Sequence, residues 1–218
     1  MKKAIIFDVD GVLLDSLPAH LAICEDLARR YKLDVEVPFR EDFVNNIVRK
    51  GIKISPMYDF FIAVGFDKNS AKMANEYYKE KFSDEYSISP FIFTAEAIKT
   101  LKVQGYKLGI VTSNVMGNII DPLDNIFDLF DPELVFAKDS LDNYTKQDAL
   151  GRVLQELSCD SSEVLYVGDQ HADGDAARDL NIPFVGVTYG WGITKEDTEI
   201  ALIDDLMELT DEISSWKE

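Results

Sequence analysis

Residues 4–15 read Ala4-Ile-Ile-Phe7-Asp8-Val-Asp10-Gly11-Val-Leu-Leu-Asp15. Four apolar residues are followed at once by two aspartates at i and i+2 and by a glycine. An apolar run that does not alternate predicts a strand covered on both faces, as in a parallel sheet. Similar runs recur at Leu108-Gly-Ile-Val111, Val164-Leu-Tyr-Val167 and Phe184-Val-Gly-Val187, with a weaker one at Leu134-Val-Phe136. Helical periodicity fills the intervals around 92–103, 117–127, 145–157, 173–180 and 202–213. Strands alternating with helices predict an α/β fold: a Rossmann-like parallel sheet with helices on both faces.

Residues 16–90 break this alternation and contain no convincing strand. Leu17, Leu21, Cys24, Leu27, Ala28 and Tyr31 share one helix face. Met57, Phe60, Phe61 and Val64 share a second, and Ala71, Ala74, Tyr77 and Tyr78 a third. Pro38, Pro56 and Pro90 mark element boundaries. The expected organisation is a sheet domain from 1–15 and 91–218, with a small all-α domain of 16–90 inserted after the first strand.

The chain has 218 residues, 46% of them hydrophobic, and a formal net charge of -18. That apolar content excludes a disordered chain. The acidity argues against nucleic acid or an anionic membrane as partner, because a phosphate backbone needs clustered Lys and Arg. The charge is unevenly spread. Residues 16–90 hold 11 Lys and Arg against 12 Asp and Glu, so the sheet domain carries nearly all the excess. Nine acids against Lys217 over 196–218 suggest a solvated helical face. Cys24 and Cys159 are the only cysteines and lie far apart, as expected of two buried free thiols in a reducing cytoplasm. Lys2-Lys3 before an apolar run faintly imitates a signal peptide, but the run ends at Asp8, too soon for one. No run approaches the ~18 apolar residues of a membrane span. The expected setting is cytoplasmic, as a monomer or homodimer.

Four clusters carry candidate chemistry. Asp8 and Asp10 follow a strand, where ligands bind in open parallel sheets; equally, they could be solvated or capping aspartates. Gly168-Asp169-Gln170-His171-Ala172-Asp173-Gly174-Asp175 follows another strand. Its acids suit a hard cation. Asp173 or Asp175 could instead cap the next helix. A calcium loop counted from Asp169 fails, because its twelfth position is Leu180 where a Glu is needed. Thr112-Ser113-Asn114 offers hydroxyls and free amides to phosphate oxygens, or ordinary helix caps. Lys146 opens a helix and could be plain surface charge. His171 beside the acids is a poor Mg²⁺ ligand.

In the order D-x-D, Thr, Lys, G-D-x-x-x-D, the set resembles the haloacid dehalogenase-like hydrolase superfamily over essentially the whole chain. The stretch at Val187-Thr-Tyr-Gly-Trp-Gly192 is similar to its phosphoglycolate phosphatase-like members. The helical insert resembles that family's small cap. The resemblance implies a Mg²⁺-dependent phosphatase acting on a small soluble phosphorylated metabolite. Asp8 matches its nucleophile, which forms an aspartyl-phosphate, and Asp10 its general acid/base. Thr112 and Lys146 match the groups holding phosphoryl oxygens, with Ser113 and Asn114 as further substrate contacts. Asp8, Asp10, Asp169 and Asp173 match the metal-site acids, Asp173 supporting the metal or Lys146. Departures are Gln170 where Ser is usual, Gln147 after the lysine where Pro is usual, and Val12 where Thr is commoner.

The chemistry is coherent. A carboxylate approaching a phosphate monoester at ~4 Å meets about 4 kcal/mol of repulsion per like-charge pair at an effective dielectric of ~20. A divalent cation and Lys146 reverse that sign. Arg49, Lys50 and Lys53, around Gly51, read either as a solvated basic turn or as a loop that meets an anionic leaving group. The alternatives are a phosphomutase of the same fold, a phosphonatase using Lys50 or Lys53, and a catalytically silent Mg²⁺-binding module. Dehalogenation is disfavoured because Asp10 is present.

Overall fold

A computed structural model describes residues 2–212. Its strands are β1 (Ala4–Phe7), β2 (Leu14–Asp15), β3 (Ser89–Pro90), β4 (Lys107–Val111), β5 (Val135–Phe136), β6 (Val164–Gly168), β7 (Phe184–Val187) and β8 (Ala201–Ile203). Six of them form one sheet in the order β5-β4-β1-β6-β7-β8, with every neighbouring pair parallel. The fold is the expected α/β one. β1 lies at its centre: the chain winds outward through β4 and β5 on one side, then through β6, β7 and β8 on the other. A reversal of this kind opens a crevice at the carboxyl ends of the central strands. In register, Phe7 lies beside both Ile110 and Val167, so β1, β4 and β6 end nearly level.

The helices are α1 (Leu17–Tyr31), α2 (Arg40–Phe43), α3 (Met57–Val64), α4 (Lys68–Glu85), α5 (Thr94–Val103), α6 (Ile120–Leu123), α7 (Lys146–Leu157), α8 (His171–Asp179) and α9 (Met207–Glu212). All four residues of β1 are fully buried, which is why the run needs no alternation. Side chains two apart share a sheet face. Ala4 and Ile6 therefore join Val111, Val164 and Tyr166 against Ala149, Leu150 and Val153 of α7 and Ala177 of α8. Phe7 points the other way, its ring edge-on to Phe130 at 6.2 Å. Each such buried side chain stabilises the fold by about 1.5–3 kcal/mol relative to an exposed one.

The chain divides into two compact units, one of Met1–Asp15 with the segment from Ser89 onward, the other Ser16–Ile88. Ser89 and Pro90 pair antiparallel with Asp15 and Leu14. The second unit is helical. Phe43, Phe60, Phe61 and Phe82 fill its core with His20, whose ring stacks on Phe82 at 5.1 Å. Asp67 caps α4 by accepting the N–H groups of Asn69 (2.7 Å) and Ser70 (3.0 Å).

Four expectations need correction. The helix over 117–127 is broken into the short α6 between two 3₁₀ turns, because Pro122 lacks a donor and Asp124 turns to φ 45°. The helix over 202–213 begins only at Met207, where the Asp205 carboxylate accepts the Met207 N–H at 2.7 Å. Ahead of it, Ala201–Ile203 pair with β7 as an edge strand. The remainder of that acidic stretch, with Lys217 and Glu218, lies outside the described residues. Tyr31, placed on the buried face of α1, is exposed. Both cysteines are free, but only Cys24 is buried; Cys159 is half-buried. Among the described residues, no helix is long and apolar enough to cross a membrane.

Candidate active site at the strand ends

The Asp8 N–H donates to Val167 O at 2.9 Å, which extends the β1–β6 ladder one residue past the strand. The chain then turns sharply. The N–H groups of Leu13 and Leu14 both converge on Val9 O at 2.9 Å. Gly11 takes φ 81°, and a Cβ there would collide with the Asp169 carboxylate. A glycine is needed for both reasons. This turn fixes the exits of Asp8 and Asp10.

Lys146 occupies the first position of α7, behind Thr145, whose hydroxyl accepts the Asp148 N–H at 3.0 Å. Its side chain runs inward rather than to solvent. Nζ donates to Asp8 Oδ2 at 2.7 Å and to Asp173 Oδ1 at 2.5 Å. Burial opposes the ammonium charge, but Asp173 and Asp8 outweigh it and hold Lys146 protonated well above its ordinary range. Asp173 is fully buried and uses both oxygens on protein donors. Its Oδ1 also accepts from the Tyr166 hydroxyl at 3.3 Å, and its Oδ2 accepts the Gln170 N–H at 3.1 Å. It caps α8 and anchors Lys146 at once.

Asp169 is arranged differently. Its Oδ2 accepts the Trp191 N–H at 2.7 Å and the Gln170 side-chain amide at 3.1 Å. Its Oδ1 is buried with no hydrogen-bond partner, as is Oδ1 of Asp8. Asp8, Asp169 and Asp173 each present a carboxylate oxygen within 4.8 Å of the others. One ammonium cannot neutralise three buried carboxylates. Burial, opposed by Lys146, pushes Asp8 up to about 7. Burial, then Asp173 and Asp8, pushes Asp169 well above the carboxylate range. Excess buried negative charge, all-oxygen donors and orphaned oxygens on Asp8 and Asp169 fit a hard divalent cation.

Asp10 Oδ2 accepts the Asn114 side-chain amide at 2.9 Å, while its Oδ1 is buried without a hydrogen-bond partner. Thr112 is buried at the end of β4 and its hydroxyl accepts the Asn114 N–H at 3.2 Å. Ser113 is exposed beside it. Asn114, expected on substrate, spends its amide on Asp10. Arg49, Lys50 and Lys53 belong to the helical unit and are exposed. Lys53 pairs with Asp59 at 2.6 Å, and Lys50 donates to Asn46 at 3.2 Å. His171 points to Asp197, 3.3 Å away.

Three features escaped sequence reasoning. The Trp191 N–H acts through backbone and leaves no residue signature. Tyr166 sits within an apolar strand run, where a phenol reads as core. Asn114 looks like any cap. A polar-tipped residue in an apolar strand, Tyr166 two residues before Gly168, was the one available signal.

The sequence profile of the haloacid dehalogenase-like hydrolases matches residues 5–187. The chain belongs to that family of enzymes. A phosphoglycolate phosphatase from Shigella boydii is 26% identical over 234 residues, covering 94% of this chain and 91% of that protein. An N-acetylmuramic acid 6-phosphate phosphatase from Pseudomonas aeruginosa is 25% identical, covering 87% and 83%. Among solved structures, a haloacid dehalogenase-like hydrolase from Streptococcus pneumoniae superimposes with a TM-score of 0.76 at 20% identity, over 97% of this chain and 98% of that one.

Proposed function

We propose that this hydrolase is a phosphatase that cleaves a small phosphate monoester through an aspartyl-phosphate on Asp8. The observation that carries the reading is Lys146 reaching Asp8 and Asp173 beside two orphaned carboxylate oxygens. Asp8 attacks phosphorus and the P–O bond to the leaving group breaks. Asp10, held by Asn114, gives its proton to the leaving oxygen. In the second half Asp10 takes a proton from water, whose oxygen attacks phosphorus, releasing phosphate and restoring Asp8. Lys146 and the Thr112 hydroxyl hold the phosphoryl oxygens. Asp8 and Asp169, with Asp10 and Asp173 around them, would hold Mg²⁺. When bound, that ion neutralises the carboxylates and the charge on the transferring group.

We further propose that the helical unit, Ser16–Ile88, acts as a substrate-selecting cap, in which Arg49 and Lys50 favour an anionic leaving group. Purified protein with Mg²⁺ is expected to release phosphate from members of a phosphate-monoester panel. Phosphoglycolate and N-acetylmuramic acid 6-phosphate, named for its relatives, are the first choices. Excess chelator is expected to abolish release. No release from any compound, or full release in chelator, would sink the proposal; interconversion of sugar phosphates without release would favour the mutase.

A thermal consequence follows from the raised carboxylates. The unfolded chain sheds these protons near pH 4, whereas the fold keeps the Asp8 proton up to about pH 7. The stabilising contribution of Asp8 is thus complete below about pH 4 and is lost as pH rises through about 7. Mg²⁺ competes with those protons. The rise in Tm on adding Mg²⁺ should therefore be larger at pH 8 than at pH 5. Equal rises at both pH values would contradict this.

A further inference from the structure

Two consecutive carbonyls of the turn that carries Asp10 are tied to segments far along the chain. Leu13 O accepts the Phe91 N–H at 3.1 Å and the Thr94 hydroxyl at 3.0 Å. Val12 O accepts the Tyr189 hydroxyl at 3.0 Å, across 177 positions. The Tyr189 ring is seated edge-on against Phe91 and Phe93, with centroids 4.8 Å away in each case. Tyr189 lies in the loop after β7, two residues before Trp191, whose N–H donates to Asp169. Gly190 between them has no room for a side chain: a Cβ there would collide with Asp169 and with Gly11 O. Three successive residues thus grip the Asp10 turn and Asp169 together.

We propose that Tyr189 is a positioning residue for the hydrolysis: its hydroxyl, donated to Val12 O, holds the 9–14 turn so that Asp10 meets the leaving oxygen. The inference rests on the phosphatase reading above. Tyr189 acts through the backbone of that turn, not on the reacting atoms. Val12 is fully buried, so without the donor its carbonyl is left unpaired or the turn shifts to find another. A general acid displaced by about 1 Å can lose on the order of 10²-fold in rate. The loss falls unevenly across substrates. A leaving alkoxide needs the proton of Asp10 far more than a leaving 4-nitrophenolate, which is a stable anion.

The test is kcat/KM of the full chain with Mg²⁺ on two probes: the alkyl phosphate of the panel that wild type cleaves fastest, and 4-nitrophenyl phosphate. This quantity covers the steps through the first P–O cleavage, so breakdown of the aspartyl-phosphate does not enter. Wild type, Tyr189→Phe and Thr188→Val are compared, with folding followed by circular dichroism. Tyr189→Phe keeps the ring against Phe91 and Phe93 but loses the donor. It is expected to lower kcat/KM about thirtyfold for the alkyl phosphate and about threefold for 4-nitrophenyl phosphate, so their ratio shifts about tenfold. Thr188→Val removes a neighbouring hydroxyl that bonds to Asp204 and Ile203 O, and should leave the ratio at its wild-type value. Equal losses on both probes in Tyr189→Phe, or no loss, overturn the positioning role while leaving the phosphatase standing. An equal shift of the ratio in Thr188→Val overturns it as well, since any loosening of the loop would then suffice. Loss of fold in Tyr189→Phe makes the hydroxyl a scaffold group and also overturns it. Failure of wild type to cleave either probe overturns the phosphatase reading and this inference with it.

Discussion

Asp8→Asn is expected to reduce kcat/KM by about 10⁴-fold or more, because an amide cannot form the acyl phosphate. The fold should not suffer. Asn fills the same space, and its carbonyl oxygen can still accept from Lys146 Nζ, which Asp8 Oδ2 now does at 2.7 Å. Asp8 is pushed up to about 7, so its ionisation works against folding. At pH 8 the metal-free variant should therefore melt no lower than wild type. Turnover and stability move in different directions only if Asp8 is catalytic rather than structural. Wild-type turnover would refute the nucleophile, and a lost fold would show that Asp8 is held for packing.

Lys146→Met is expected to damage both. Methionine nearly preserves the apolar stem but removes what is, among the described residues, the only ammonium hydrogen-bonded to Asp8 and Asp173. Those carboxylates are 6% and 0% exposed, so water cannot replace the cation. Breaking such a pair from one side typically costs 3–5 kcal/mol, and losing a donor to the phosphoryl oxygens costs about 10²–10³ in rate. The stability loss should be larger at pH 8 than at pH 5, because near pH 5 the raised Asp8 is already protonated. Mg²⁺ should recover part of it. Denaturant unfolding at the two pH values checks this. A loss below about 1 kcal/mol at both would return Lys146 to the surface-charge reading that its place at a helix start first invited.

That Lys146 result marks where sequence reasoning stopped. The four strongest strands were legible because a strand buried on both faces cannot hide its composition. β8 was not, since Ala201-Leu-Ile203 continues into leucines that recur at helical spacing, and only the Asp205 cap separates the two elements. The clustered aspartates were legible because aspartates directly after apolar runs are conspicuous. Their supports were not. A backbone N–H at Trp191, a phenol on a strand and the pairing of Asn114 with Asp10 are properties of the folded path. Whether Asp173 caps a helix or reaches the other clustered groups could not be decided from spacing; in the fold it caps α8 and accepts from Lys146 at once.

The central place of β1 has a consequence for how the protein comes into being. Asp8 is synthesised well before its partners: Lys146 is 138 positions behind it, and the Trp191 N–H that orients Asp169 comes later still. Flanking strand β6 must also be made before β1 is enclosed on both sides. A chain ending before residue 146 thus carries Asp8 and Asp10 without Lys146, Asp169 or Asp173. On the proposed mechanism, phosphate chemistry is withheld from the growing polypeptide until those partners have been made.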